Sequence, residues 1–222
     1  SRRAVRVSAG MVIAIDGPAA SGKGTLSRRL SAHYGWPCLD TGLLYRAVAR
    51  TMMDQGIAPD DMDAAARIAG ALDPATFDEK KLRGAEMGEA ASVISALPAV
   101  REALIGLQRD FAGRSPGAIL DGRDIGTVIC PDAEVKIFVT ATSEERARRR
   151  WLELSRSGDP ISFEDVLADI HRRDARDSGR STAPLRMAED ARLLDTTKLD
   201  IEAAFRVAVG IVEERLSGRA TR

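Results

Sequence analysis

Met11–Asp16 (MVIAID) has the pattern of a buried strand, and it runs straight into glycine. The loop that follows is Gly17, Pro18, Ala19, Ala20, Ser21, Gly22, Lys23, Gly24 and Thr25, and beyond it Leu26, Leu30 and Tyr34 fall four apart, as on one helix face. A strand, a Gly-rich loop and a helix in that order make a concave nest of backbone N–H groups with the positive end of a helix behind it. That arrangement suits phosphate. The usual phosphate-loop pattern places Ser or Thr directly after the lysine. Here Gly24 intervenes and Thr25 comes one residue later. The cradle still works physically, with Lys23 long enough to reach the β- and γ-phosphates of a triphosphate.

Four more apolar runs alternate with helical patterns: Pro37–Asp40, Ala118–Asp121, Glu134–Val139 and Ala191–Asp195. Strands alternating with helices imply an α/β fold with a five-stranded parallel sheet in three layers, and in such sheets the carboxyl ends of the strands line the ligand crevice. Thr142-Ser-Glu-Glu145 is a capping-box pattern that opens a helix. Ile201, Phe205, Val209, Val212 and Leu216 continue a helical period, with Gly218 as its expected stop. Residues 11–56, 111–150 and 189–222 make the core domain. Residues 57–110 form a polar, Ala-rich insert, and residues 151–188 a second excursion, where lids and substrate pockets are expected. Residues 1–10 read as a basic N-terminal extension with no apolar stretch of the signal-peptide kind.

Charge and cysteine content narrow the classes. Lys+Arg and Asp+Glu are equal at 33 each, so no global field draws the chain to nucleic acid or to a membrane. No apolar run approaches the ~18 residues of a membrane span. Cys38 and Cys130 match no metal-ribbon or disulfide spacing. A cytoplasmic protein is the expectation. Of the 33 basic residues 28 are arginine. Codon bias explains that excess without function; the alternative is that some of these arginines fork onto planar anions, as lysine cannot. Arg146 and Arg150 are informative here. They are like charges at i,i+4, mildly destabilising unless an anion sits between them. They are expected to straddle a transferring phosphoryl group when a lid closes. Glu153 is placed to relieve Arg150 in part, while Glu144–Arg148 and Glu145–Arg149 are ordinary surface pairs.

The GKGT sequence in place of GK[ST] resembles the nucleoside monophosphate kinases. Asp40-Thr-Gly-Leu-Leu-Tyr-Arg46, Asp121-Gly-Arg-Asp-Ile-Gly-Thr127 and Arg173-Asp-Ala-Arg-Asp-Ser-Gly-Arg180 resemble the bacterial cytidylate kinases in particular. The likeness runs from Met11 to about Leu216. It implies transfer of the γ-phosphoryl group of ATP to CMP and deoxy-CMP, with Mg²⁺, by a monomer acting on small molecules.

The resemblance also implies roles. Thr41, where the family usually has serine, contacts the monophosphate, and so does Arg46. Arg123 takes the acceptor phosphate, and Asp124 the exocyclic amine of cytosine. Ser92 and Arg101 are further base contacts. Arg173 and Asp177 hold the ribose hydroxyls, with Arg180 on a phosphate; the three fall at i, i+4, i+7, which also suits a simple salt-bridge ladder. Asp121, closing a strand beside the phosphate loop, is placed to order magnesium-bound water. Relatives often carry a small antiparallel sheet in the insert, but few strand-like residues stand between Asp73 and Glu89 here. Two other readings stay open: a P-loop kinase for another small acceptor, and a nucleotide-sensing switch. The switch normally needs a base-reading Asn-Lys-x-Asp, which is missing.

Neither histidine, His33 or His171, falls in any of these blocks. A phosphate nucleophile explains that: its second pKa is near 6, so at pH 7 no base is needed to activate it.

Overall fold

The computed structural model describes residues 10–220; most of the basic extension expected at residues 1–10 lies outside them. Five strands, β1 (Met11–Asp16), β2 (Cys38–Asp40), β3 (Gly117–Gly122), β4 (Val135–Thr140) and β5 (Arg192–Asp195), form one sheet in the order β2-β3-β1-β4-β5. Every pairing is parallel. From the central β1 the chain builds outward to β3 and β2 on one side and to β4 and β5 on the other. The crevice therefore opens over the carboxyl ends of β1 and its neighbours.

The helices are α1 (Lys23–Tyr34), α2 (Thr41–Asp54), α3 (Met62–Gly70), α4 (Ala85–Ser95), α5 (Pro98–Ala112), α6 (Ser143–Arg156), α7 (Phe163–Gly179) and α8 (Ile201–Ala220). Strand alternation divides the core between the two faces of the sheet. Ile13, Ile15, Ile119 and Ile137 pack with Leu26 and Leu30 of α1 and Val212 of α8. Ala14, Ala118 and Leu120 point the other way, onto Leu44 and Val48 of α2 and Leu104 of α5. Burying such side chains stabilises the fold by about 1.5–3 kcal/mol each. Both faces of the sheet are covered, which is why its central strands read as continuous apolar runs.

The local signals mostly hold. Thr142 caps α6, accepting from Glu145 N at 3.2 Å. The box is only half closed, because the Glu145 carboxylate turns to Arg148 and Arg149 instead. Glu144 does not take Arg148 as expected. Helix α8 runs through Gly218 to Ala220, so the glycine is not its stop. Between Asp73 and Glu89 there are two 3₁₀ turns, Pro74–Thr76 and Glu79–Leu82, and then the start of α4, with no strand. The insert is thus helical, α3 to α5, and packs on α2. Among the described residues no single helix is long and apolar enough to cross a membrane.

Candidate active site

A cavity of about 300 Å³ lies over the carboxyl ends of β1, β2 and β3, walled by α2, α4, α6 and α7. It is of the size that accepts a small ligand. Of the residues singled out from the sequence, only Gly17, Pro18 and Arg146 are absent from its wall.

The Gly17–Thr25 loop forms one end. Gly17 has no room for a side chain, since a Cβ would stand 2.1 Å from the Val139 carbonyl oxygen. Gly22 opens α1 at φ +90, and Ala20 sits in the left-handed region at φ +58, unusual without glycine. Strained backbone of this kind is typical of ligand clamps. The Ser21 hydroxyl is buried with no partner, an orphan that a bound anion would satisfy. Lys23 Nζ donates to the Pro18 carbonyl at 3.2 Å. Thr25 is the third residue of α1, its hydroxyl accepting from Arg28 at 3.3 Å.

Asp40 and Asp121 are register partners at the ends of β2 and β3. Burial and the neighbouring Asp40 push the Asp121 carboxyl well up. Burial and the nearby Arg123 guanidinium push the Lys23 ammonium down, while Asp121 and Asp40 hold it up. Two crowded carboxylates beside a phosphate cradle are a donor set suited to a hard divalent cation. Asp40 and Asp121 are the residues here that could hold such a cation. Asp40 also caps α2, accepting from Gly42 N at 3.0 Å. Among the described residues no group of three or more Asp, Glu, His or Cys forms a self-sufficient metal site.

The opposite end is dominated by guanidinium groups. An added Cβ at Gly88 would lie within 4 Å of Arg46, Arg173 and Arg150 together, so the three converge on one bare turn of α4. Burial and the neighbouring Arg150 press Arg46 down to about 10. Burial and the nearby Arg123 press Arg173 down to about 9. Arg46 donates to the Leu82 carbonyl at 2.8 Å and Arg150 to the Gly84 carbonyl at 3.0 Å. Glu153 pairs with Arg150 at 3.0 Å, as its spacing suggested. Arg173 Nε is buried without a partner. Nine Lys and Arg line the cavity against five Asp and Glu. Like charges confined this closely in a buried site call for anions.

The side wall carries the remaining residues. Asp124 and Arg101, each about 6% exposed, form an ion pair at 2.6 Å. Arg101 also donates to the Ser95 carbonyl at 2.9 Å and lies over the Tyr45 ring. Ser92 accepts from Arg176 at 2.7 Å. Thr41 donates to the Asp121 carbonyl at 2.7 Å, so its proton is already committed and a phosphate would have to displace that bond. Asp177 accepts from Arg123 at 3.0 Å and from Arg180 at 3.3 Å. Arg180 stands just beyond α7, not on its face, and folds back to Asp177. The expected ladder therefore forms only between Asp177 and Arg180. Arg123, from the end of β3, takes the place expected for Arg173.

Arg146 and Arg150 do not straddle one point. Arg150 faces the cavity, whereas Arg146 is forked onto Asp174 of α7 at 2.9 and 2.6 Å and donates to the Ala19 carbonyl at 3.3 Å. Arg149, expected in an ordinary surface pair, is only partly exposed. Arg149 donates to both the hydroxyl and the carbonyl of Thr196, and reaches the Ser21 carbonyl at 3.4 Å. It straps the phosphate loop to the segment after β5. Asp174 lies inside the Arg173–Arg180 block without an expected role, whereas no spacing rule marks Thr196.

The sheet order and the loop define a P-loop kinase fold. The shikimate kinase of Bacteroides thetaiotaomicron superposes with a TM-score of 0.51 at 11% identity, covering 93% of this chain and 98% of its own. The cytidylate kinase family profile matches residues 13–214. The cytidylate kinase of Methylocella silvestris is 62% identical over 203 residues, 91% of this chain and 94% of the relative. That of Afipia carboxidovorans is 57% identical over 212 residues, 96% and 100% of the two chains. This chain belongs to the cytidylate kinase family.

Proposed function

We propose that the cavity holds ATP and a cytidine monophosphate end to end, with the residue roles set out below. The reaction moves the γ-phosphoryl group of ATP onto CMP, giving CDP and ADP, in keeping with family membership and the 57–62% identical relatives. Deoxy-CMP is taken as an acceptor too. The observation that carries the residue assignment is the cationic excess of the cavity, with Lys23 at one end and Arg46, Arg150 and Arg173 converging at the other.

The phosphate loop cradles the triphosphate, and Lys23 reaches its β- and γ-phosphates. Asp121, through water, and Asp40 would hold magnesium, which would supply neutralising charge at the triphosphate. Arg46, Arg123, Arg173 and Arg180 hold the acceptor end. The acceptor phosphate is already an anion at pH 7, so the difficulty is repulsion between donor and acceptor. Two unit charges ~4 Å apart repel by about 4 kcal/mol at an effective dielectric of 20. Phosphoryl transfer is accordingly positioning plus electrostatics. Both histidines fit that scheme: His33 packs edge-on to Tyr34 and Phe205, and His171 is exposed on α7. Neither lines the cavity.

Base reading falls to the Arg101–Asp124 pair. A carboxylate accepts from the cytosine amine, and a guanidinium beside it donates to the ring's acceptors. Uracil presents an acceptor where Asp124 needs a donor. Asp124→Asn is expected to lower the CMP-over-UMP ratio of kcat/KM roughly tenfold to a hundredfold, in line with the 1–3 kcal/mol of a good base contact. The KM for ATP should stay within about twofold. Steady-state kinetics with both acceptors at saturating ATP make the test; an unchanged ratio would place base reading elsewhere. The proposal extends to a cytoplasmic monomer that acts on small molecules rather than on nucleic acid or membranes, in keeping with the cytidylate kinase relatives.

A further inference from the structure

Asp16 ends β1 directly before Gly17 and is 5% exposed. No step described above uses it. Each of its carboxylate oxygens accepts one backbone bond: Oδ1 from Ile125 N at 2.9 Å and Oδ2 from Gly126 N at 2.8 Å. Those two N–H groups follow Asp124 immediately and open the π-helical turn Ile125–Ile129. On the other flank Gly17 N donates to the Gly122 carbonyl at 3.2 Å. Asp16 and Gly17 therefore grip the chain at Gly122 and again at Ile125–Gly126, and the two residues held between these grips are Arg123 and Asp124.

The chemistry of the grip is specific. Hydrogen bonds from N–H groups to a carboxylate are short and about twice as strong as neutral ones. A buried carboxylate has to collect such donors or lose its charge, and Asp16 lies at that balance, with burial raising it to about 6 and the two N–H bonds opposing the rise. The fit leaves no slack: a Cβ on Gly126 would stand 3.3 Å from Asp16 Oδ2 and 3.1 Å from Lys136 Cδ. A turn fixed in this way holds the Asp124 side chain against Arg101 on the cavity wall.

We propose that Asp16 is a positioning residue for base recognition, its carboxylate clamping the turn that carries Arg123 and Asp124 to the root of the phosphate loop. The proposal rests on the reading that Asp124 contacts the base. Asp16 touches neither substrate; it sets the aim of residues that do.

Asp16→Asn tests it. The carboxamide keeps the shape but accepts only through its oxygen, so it turns an NH₂ toward one of the two N–H groups. The expected result is a KM for CMP raised at least about fivefold and a CMP-over-UMP selectivity lowered at least about fivefold, with the KM for ATP within about twofold. A merely structural role would lower kcat and leave both selectivity and the balance of KM values untouched, and that outcome overturns the proposal. Asp124→Asn is measured alongside. If only Asp124→Asn loses selectivity, the base reading stands and the clamp is wrong. If neither variant does, the base reading itself has failed. Should Asp16→Asn not fold, Gly126→Ala, which crowds the same carboxylate, is judged by the same selectivity. In the unaltered protein the Ile125 and Gly126 amides should exchange hydrogen as slowly as those of β1; rapid exchange at these two amides would also defeat the clamp.

Discussion

Lys23→Met is expected to lower kcat by roughly 10²–10⁵, the span between losing one transition-state donor and losing a full charge at the phosphoryl group. Methionine is close to lysine in length and apolar, so the change removes the ammonium without opening a large void. The loop's backbone N–H groups remain, and so does the helix end behind them. Triphosphate binding should therefore weaken far less than turnover, which is the mark of an interaction strengthened on the way to the transition state. The ammonium matters because burial and the nearby Arg123 press it down to about 7, with Asp121 and Asp40 opposing the fall. A bound γ-phosphate adds anionic charge at the same spot and draws Lys23 fully into its charged form. Single-turnover kinetics at saturating ATP and CMP measure the effect. A kcat within tenfold of the unaltered enzyme would mean that the lysine only helps bind ATP.

Arg150→Ala and Arg146→Ala should each lower kcat by roughly 10²–10⁵, for reasons that the structure separates. Arg150 faces the cavity and crowds against Arg46 and Arg173 at Gly88, with only the half-exposed Glu153 as counter-charge. Removing it takes positive charge from the arginine cluster at the end of the cavity opposite Lys23, where the proposed function puts the acceptor phosphate. Its loss should leave thermal stability nearly unchanged, because the group is surrounded mostly by like charges. Arg146 is tied to Asp174 and to the Ala19 carbonyl of the phosphate loop. Its removal should cost activity and stability together, since it joins α6, α7 and the loop and leaves Asp174 without its partner. Melting curves recorded beside the kinetics separate the two cases. Losses below tenfold in both variants would reduce the pair to structural charges.

The legible and illegible parts of this chain differ in physical kind. Strand β1, the phosphate loop and α1 are consecutive, so their pattern is local; β1 falls where expected, and α1 starts at Lys23, inside the last residues of the expected loop. Strand β2 is only Cys38–Asp40 and is still readable, because an Asp caps the helix that follows. The side-wall residues follow residue by residue from the resemblance, not from spacing. Ser92 and Arg101 sit on separate helices, α4 and α5, and nothing in their nine-residue gap brings them to one cavity. What the sequence could not show is pairing across the fold. The Asp177–Arg123 bond joins residues 54 apart, and the Arg149–Thr196 strap residues 47 apart. Local spacing assigned Arg149 to Glu145, and that pair does form at 3.1 Å, but the guanidinium's remaining donors reach the phosphate loop. Gly218 differs for the opposite reason: one glycine costs a helix only about 1 kcal/mol, too little by itself to end α8.

The account requires donor and acceptor to neutralise a shared cationic cavity together, so cleavage of ATP must depend on the acceptor. The most direct measurement is ADP production from ATP and magnesium, with and without CMP, followed together with CDP. ADP and CDP should rise one for one when CMP is present, with ADP formation falling to a trace without it. ADP released at the same rate in the absence of CMP, or without matching CDP, would contradict the account.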